Sequence, residues 1–192
     1  MPFISPWIFI LRLTRLLLAA MAINASFALI KPVLEKSVYL SGLIASPPAQ
    51  HLRIPVDRVR QRQLRDTWHA ERSHGRRHEG IDIFAARGTP VRSTTEGIIS
   101  RIGTNRLGGT VVWVLGPGGH RHYYAHLDQV ANVRTGERIS AGALLGFVGN
   151  TGNAKSTPPH LHYGIYTSRG AINPFPFLAG KSSSDDAVHA AS

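Results

Sequence analysis

The sequence predicts a mainly antiparallel β domain, on three observations. Between residues 64 and 178, short segments rich in β-branched and aromatic residues alternate with glycine-rich and proline-rich turns. The chain contains 19 glycines and 12 prolines, and this content favours strands and turns over a helical bundle. No apolar stripe with helical spacing continues for more than two turns in this part of the sequence.

The strands can be placed by their apolar runs and by the turns between them. The predicted strands are Gly97–Ile102, Thr110–Leu115, Arg121–Leu127, Leu144–Val148 and Leu161–Tyr166. The second and third of these flank the turn sequence Gly-Pro-Gly-Gly at residues 116–119, which predicts a hairpin.

The first thirty residues are predicted to be a targeting segment outside the fold. Arg12 and Arg15 precede an uncharged apolar run, Leu16–Ile30. As a helix, this run would be about 22 Å long, short of the roughly 30 Å hydrocarbon layer. We therefore expect a cleaved export signal, or else a membrane anchor lengthened by the apolar residues before it, with the rest of the chain in the periplasm, the cell wall or outside the cell.

The remaining sequence divides by composition. Residues 31–63 are predicted to be a linker that carries a basic run, Arg58–Arg62. Residues 64–178 form the predicted domain. Residues 179–192 form a polar tail.

Charge and cysteine content restrict the function classes. The formal net charge is +11 at pH 7, which suits anionic polymers of the cell envelope. A nucleic-acid binder is not expected, because the sequence shows no recognition helix, stacking motif or finger spacing. The chain has no cysteine, so a metal would have to be held by His, Asp or Glu. Membrane contact is expected only through the N-terminal segment.

Ten histidines are then the feature to explain. Strand periodicity places His122, Tyr124 and His126 on one face of their strand. His160 and His162 share a face of another strand, with Cα atoms roughly 6.6 Å apart, which suits one imidazole on a metal and the other beside it.

A third group is the segment that begins at His78 and reaches Asp82. Gly80 and the run Ile-Asp-Ile-Phe after it predict a turn into a strand. Two histidines and one carboxylate around an open fourth position is the composition of a catalytic zinc site. The order of the three groups along the chain carries more specificity than any one of them.

In these motifs the sequence resembles the zinc metallopeptidases of the lysostaphin and LytM type, which cut peptidoglycan cross-bridges or stem peptides. The resemblance runs from about Asp66 to Pro176. It rests on the segments Arg77–Ile83, Gly88–Val91, Tyr124–Leu127, Gly136–Ile139, Gly149–Gly152 and Pro159–Tyr163.

The resemblance implies a fold, a cofactor and a set of roles. The fold would be a small antiparallel β-sandwich or open barrel with a groove over one sheet. His78, Asp82 and His162 would bind Zn²⁺, and His126 and His160 would be catalytic. Peptidoglycan would be the substrate. Apart from the resemblance, Tyr124 shares the predicted strand face of His126, so it is a candidate for substrate binding or else an ordinary half-buried strand tyrosine.

Two positions differ from the usual pattern of that family, and they concern substrate choice rather than metal binding. Pro158 stands where a glycine usually precedes the Pro-His-Leu-His segment, and Gly164 stands where an acidic residue is common. The competing hypothesis is a catalytically inert wall-binding or hydrolase-activating module on the same fold.

Overall fold

The computed structural model describes residues 6–72 and 75–179. Within them, residues 6–42 form one unit and residues 43–179 form another. Helix α1, Pro6–Ala45, makes up the first unit. The helix continues past Pro32 and ends three residues after position 42, where that unit ends. The first part of the predicted linker is therefore helical. No helix in the described ranges has both the length and the apolar character needed to span a membrane.

The second unit is built on a single antiparallel sheet. Its nine strands within the described residues are β1 Ile81–Phe84, β2 Pro90–Arg92, β3 Gly97–Asn105, β4 Gly109–Leu115, β5 Arg121–Val130, β6 Arg138–Ile139, β7 Leu144–Val148, β8 His160–Thr167 and β9 Gly170–Ile172. A short helix, α2, follows at Phe175–Ala179. The predicted class, mainly antiparallel β, is confirmed, as are all five predicted strands and the β4–β5 hairpin.

The sheet branches at β5. Its main path runs β1-β8-β5-β4-β3-β6, while β7 pairs with the second half of β5, β2 pairs with β7, and β9 pairs with β8. The sequence did not predict β2, β6 and β9, which are only two or three residues long and carry no periodicity to detect.

The main hydrophobic core covers one face of the sheet. Alternate residues of β8, namely Leu161, Tyr163 and Ile165, are buried in it, as are Val112 and Val114 of β4. The core also contains residues that precede the predicted start of the domain at residue 64, in particular Leu52 and Val56. They extend the packed unit into the segment predicted to be a linker. The predicted tail lies outside the described residues from position 180 onward.

Candidate metal centre

The face of the sheet opposite the core brings three of the predicted site residues together. In the antiparallel pairing of β1 with β8, Asp82 is opposite His162, and Phe84 is opposite His160. His78 reaches the same place from the segment before β1. The turn into a strand that the sequence predicted after His78 is confirmed.

Gly80 allows this turn to lie against β8. A Cβ atom at this position would be 2.5 Å from the backbone oxygen of Tyr163 and 2.7 Å from Cε1 of His162. No side chain fits in that space, so the close approach of the two segments requires glycine. The approach brings His78 next to His162.

The side chains of His78, Asp82 and His162 converge on one point. His78 Nε2 lies 2.8 Å from His162 Nδ1 and 3.1 Å from Asp82 Oδ1. His162 Nδ1 lies 3.2 Å from Asp82 Oδ1. Among the described residues, this is the group of three whose potential ligand atoms are close enough to hold one ion.

Contacts outside the cluster fix the orientation of its members. His78 Nδ1 donates a hydrogen bond to the backbone oxygen of Thr67 at 2.7 Å. In the neutral ring, this leaves the lone pair on Nε2, directed at Asp82 and His162. Arg72 Nη2 lies 2.5 Å from Asp82 Oδ2, which leaves the other oxygen, Oδ1, for the cluster.

This donor set fits zinc. Two imidazole nitrogens and one carboxylate oxygen, with a fourth position left open, match the ligands and the coordination number of catalytic zinc. Zinc ligands are commonly held in position by hydrogen bonds to groups outside the metal site, as His78 and Asp82 are here. The chemistry of the three side chains, and the hydrogen bonds around them, are thus those of a metal centre.

The protonation states agree with this interpretation. Burial tends to raise the pKa of the Asp82 carboxyl, but its close contacts with His162 and His78 outweigh burial and hold the pKa well below its usual range. Burial lowers the pKa of His162. The Asp82 carboxylate is therefore an anion at neutral pH, and burial favours the neutral ring of His162, as metal binding requires.

Two further histidines lie beside the cluster, and their rings are 4.9 Å apart. His126 Nδ1 donates to the backbone oxygen of Thr151 at 2.8 Å, and His160 Nδ1 donates to that of Pro158 at 2.9 Å. In its neutral form, each ring therefore directs the lone pair of Nε2 away from these carbonyls. His160 Nε2 is 3.9 Å from Asp82 Oδ1, so this ring is at the edge of the cluster.

A β-bulge brings His126 to this face. Thr110 of β4 pairs with Leu127, but Val112 pairs with Tyr124, so two residues of β5 lie opposite Val111 alone. His126 has φ +63°, in the left-handed region. A bulge of this kind redirects the side chain of the extra residue. Burial, and next the charges of His162 and His160, lower the pKa of His126 to about 4.

The bulge also corrects one prediction. His122 and Tyr124 do not share a face with His126, because the extra residue reverses the alternation between them. Tyr124 is completely buried in the core, where its hydroxyl accepts a hydrogen bond from the Thr94 backbone N–H at 2.9 Å. Its side chain does not line the site, and the prediction that it contacts substrate is wrong for this structure.

Several residues at the site were not found from the sequence. Thr67 contributes a backbone oxygen, which no sequence motif marks. Arg72 lies in a segment without periodicity. Phe84 is an exposed aromatic residue whose ring centroid is 5.1 Å from that of His160, and strand alternation from Asp82 would have placed it on this face.

Comparison with known proteins identifies the family. Residues 76–174 match Peptidase family M23, so the chain belongs to that family. The matched range contains all five histidine and aspartate residues of the site.

Individual relatives agree with this assignment. The chain is 40% identical over 126 residues to an L-Ala--D-Glu endopeptidase of Bacillus subtilis, covering 59% of this chain and 39% of that protein. It is 36% identical over 111 residues to lysostaphin of Staphylococcus simulans, covering 55% and 22%. The chain therefore spans well under half the length of these curated relatives.

Solved structures support the fold. The catalytic domain of lysostaphin from Staphylococcus simulans superimposes with a TM-score of 0.56 at 30% identity, covering 62% of this chain and 96% of that one. A zinc-containing peptidase from Vibrio cholerae gives a TM-score of 0.57 at 26% identity, covering 70% and 41%. The fold of the second unit is thus the lysostaphin-like fold that the sequence resemblance implied.

Proposed function

We propose that this protein is a zinc-dependent endopeptidase that hydrolyses amide bonds in the peptide part of peptidoglycan. The observation that carries the proposal is the convergence of His78, Asp82 and His162, with two further histidines, His126 and His160, beside them. The relatives support the substrate class, since one of them is named an L-Ala--D-Glu endopeptidase and another, lysostaphin, is described as an antimicrobial peptidase.

His78, Asp82 and His162 would hold the zinc. Bound there, the ion would act as a Lewis acid on the scissile carbonyl and would make the attacking water more acidic. Arg72 keeps the second oxygen of Asp82 occupied, so the carboxylate presents a single oxygen to the ion.

His126 and His160 would move the proton. With Nδ1 held by a backbone carbonyl, each ring offers an unprotonated Nε2 that can accept a proton from the attacking water. The protonated imidazole can then donate that proton to the amide nitrogen that leaves. The same donor position can stabilise the oxyanion of the tetrahedral intermediate.

The N-terminal segment fits export. Its cationic residues precede an apolar run, and within helix α1 many large apolar side chains lie exposed, among them Leu16, Phe27 and Leu29. We propose that residues 1–30 direct the chain out of the cytoplasm, as a cleaved signal or as an anchor, and so place the enzyme at its polymer. The exposed arginines of the run 58–62 would add attraction to anionic envelope polymers.

Mass spectrometry of digested peptidoglycan tests the proposal. Purified wall polymer incubated with the wild-type protein and zinc should release fragments with a new amino terminus within the peptide. The variant His162→Ala, prepared in the same way, should release none. Peptidoglycan that stays intact with the wild type, but is bound by it, would favour the inert wall-binding module instead.

A further inference from the structure

The face of the sheet that holds the metal centre continues into a second feature, which the proposed chemistry does not use. On β4 and β5, the residues that point away from the core form a small separate cluster. We call this cluster and its neighbours the aromatic shelf, defined by Trp113, Tyr123 and Tyr166 together with Arg101 and Arg121.

The strand register places the shelf beside the metal ligands. Ala125 is opposite His162, and two residues earlier on β5, Tyr123 is opposite Gly164. On the other side of β5, Tyr123 is opposite Trp113. The rings of Tyr123 and His162 touch edge to face, with centroids 5.8 Å apart. The shelf therefore begins one row of side chains from the metal centre.

The three aromatic rings of the shelf form a continuous surface. The centroid of Trp113 lies 4.3 Å from that of Tyr123 and 5.3 Å from that of Tyr166. Trp113 and Tyr166 are only half buried, whereas the tyrosines of the opposite face, Tyr124 and Tyr163, have no exposed surface. Trp113 and Tyr166 thus present an apolar area to solvent beside the buried ring of Tyr123.

Two exposed guanidinium groups flank this surface. Arg101 of β3 is opposite Trp113 in the sheet, and Arg121 lies with Cζ 5.9 Å from the centroid of the Trp113 ring. Within residues 6–72 and 75–179, neither group is in a salt bridge. The carboxylate of Glu79 lies near Tyr166, which is opposite Arg121 in the sheet.

From this arrangement we infer that the aromatic shelf binds the flank of the substrate peptide, and that Arg101 and Arg121 bind a free carboxylate on it. The inference rests on the proposed function. Flat rings accept the peptide planes and small side chains of an extended chain, and cations beside them add selectivity for an anion.

The distance suits a residue near the scissile bond. Trp113 is two strands from His162, about 10 Å across the sheet, and one row of side chains along it, about 7 Å. An extended peptide covers about 3.3–3.6 Å per residue, so the shelf is reached roughly three to four residues from the bond that is cut. A stem peptide carries free carboxylates within that range.

Binding to a catalytically disabled protein tests the inference directly. The probe is N-acetyl-L-Ala-γ-D-Glu-L-Lys-D-Ala-D-Ala, compared with two forms in which the Glu α-carboxylate or the C-terminal carboxylate is amidated. Titration calorimetry with the variant His126→Ala avoids cleavage. We expect amidation of one of these two carboxylates to weaken binding about fivefold. This factor corresponds to the upper end of the range for the free energy of an exposed ion pair.

Matched charge variants then test whether Arg101 and Arg121 cause the preference for the free carboxylate. In the His126→Ala background, Arg101→Gln with Arg121→Gln should reduce the ratio of affinities for the free and amidated probes to about one. Arg134→Gln, which removes an exposed charge from the loop between β5 and β6, should leave the ratio unchanged. A ratio that survives the double change, or a probe that does not bind, would overturn the inference.

The experiment also distinguishes a peptide ligand from a glycan ligand of the shelf. If the shelf binds sugar, a probe that carries a disaccharide should bind more tightly, Trp113→Ala should abolish that gain, and amidation should have no effect. That result would also overturn the inference. Failure of the proposed function looks different, because the wild type would then leave peptidoglycan uncut whatever the probes show.

Discussion

The buried imidazole of His122 makes a quantitative prediction about stability and pH. The residue is 2% exposed, and its Nδ1 lies 2.7 Å from the hydroxyl of Tyr163 and 3.2 Å from Oγ1 of Thr94. Burial, with a smaller effect of the charge of His120, lowers the pKa of His122 to about 3. The folded protein therefore keeps this ring neutral in mild acid, whereas the unfolded chain protonates it near pH 6.5.

Proton linkage gives the direction and the magnitude of the change in the free energy of unfolding with pH. Between pH 7.5 and pH 5, the unfolded state takes up a proton at His122 and the folded state does not, so the free energy of unfolding falls as the pH falls. With pKa values of about 6.5 unfolded and about 3 folded, the contribution of this one residue over that interval is about 2 kcal/mol. The stabilisation is fully present above the unfolded pKa and is lost progressively below it.

Urea denaturation at the two pH values measures this contribution. With a chelator present to remove bound metal, the wild type should lose about 2 kcal/mol more between pH 7.5 and pH 5 than His122→Gln does. The exposed residue His51 provides the control, because His51→Gln should show the same loss as the wild type. Equal losses in the wild type and in His122→Gln would refute the assignment of His122 as a buried neutral group.

The other predictions concern the metal centre and the surface. Gly80→Ala should reduce stability by about 1–3 kcal/mol and weaken zinc binding, since the new Cβ would lie 2.7 Å from the His162 ring; unchanged thermal unfolding and zinc titration would contradict this. Arg72→Gln, which frees Oδ2 of Asp82, should lower zinc affinity about 10–100-fold in chelator competition, whereas a purely surface role would leave affinity unaltered. Binding to isolated wall polymer in a sedimentation assay should weaken as salt rises from 0.05 to about 0.5 M. The loss should be larger in the wild type than in a protein with the arginines of 58–62 changed to glutamine. Identical salt curves for the two proteins would show that this basic run does not contribute to binding.

Strand periodicity gave the parts of the site that depend on regular pairing. His160 and His162 share a face because β8 alternates strictly, with Leu161 and Tyr163 in the core. The turn into β1 was predictable from Gly80, because glycine marks a position where another segment approaches closely. These features are local, and each depends on a few adjacent residues.

The placement of His126 was not predictable in the same way. It depends on an extra residue in β5 opposite Val111, and the alternation of Tyr124 and His126 looks regular in the sequence. A bulge depends on the pairing of two strands, so a single strand does not reveal it. The same error put Tyr124 on the wrong face.

The other residues of the site could not be predicted because their roles depend on contacts between distant segments. The backbone oxygen of Thr67 orients His78, and Arg72 holds Asp82, but neither residue type marks such a role. The aromatic shelf likewise combines residues of β3, β4, β5 and β8, which only the sheet register brings together.

Zinc content, measured by mass spectrometry on purified protein after exchange into metal-free buffer with equimolar zinc, is the most direct test of the metal centre. The wild type should hold one zinc per chain, and so should His126→Ala and His160→Ala, although both should lose turnover. His162→Ala and Asp82→Ala should hold none. Retention of zinc by these last two variants, or its equal loss from all four, would contradict the assignment of ligands and catalytic residues.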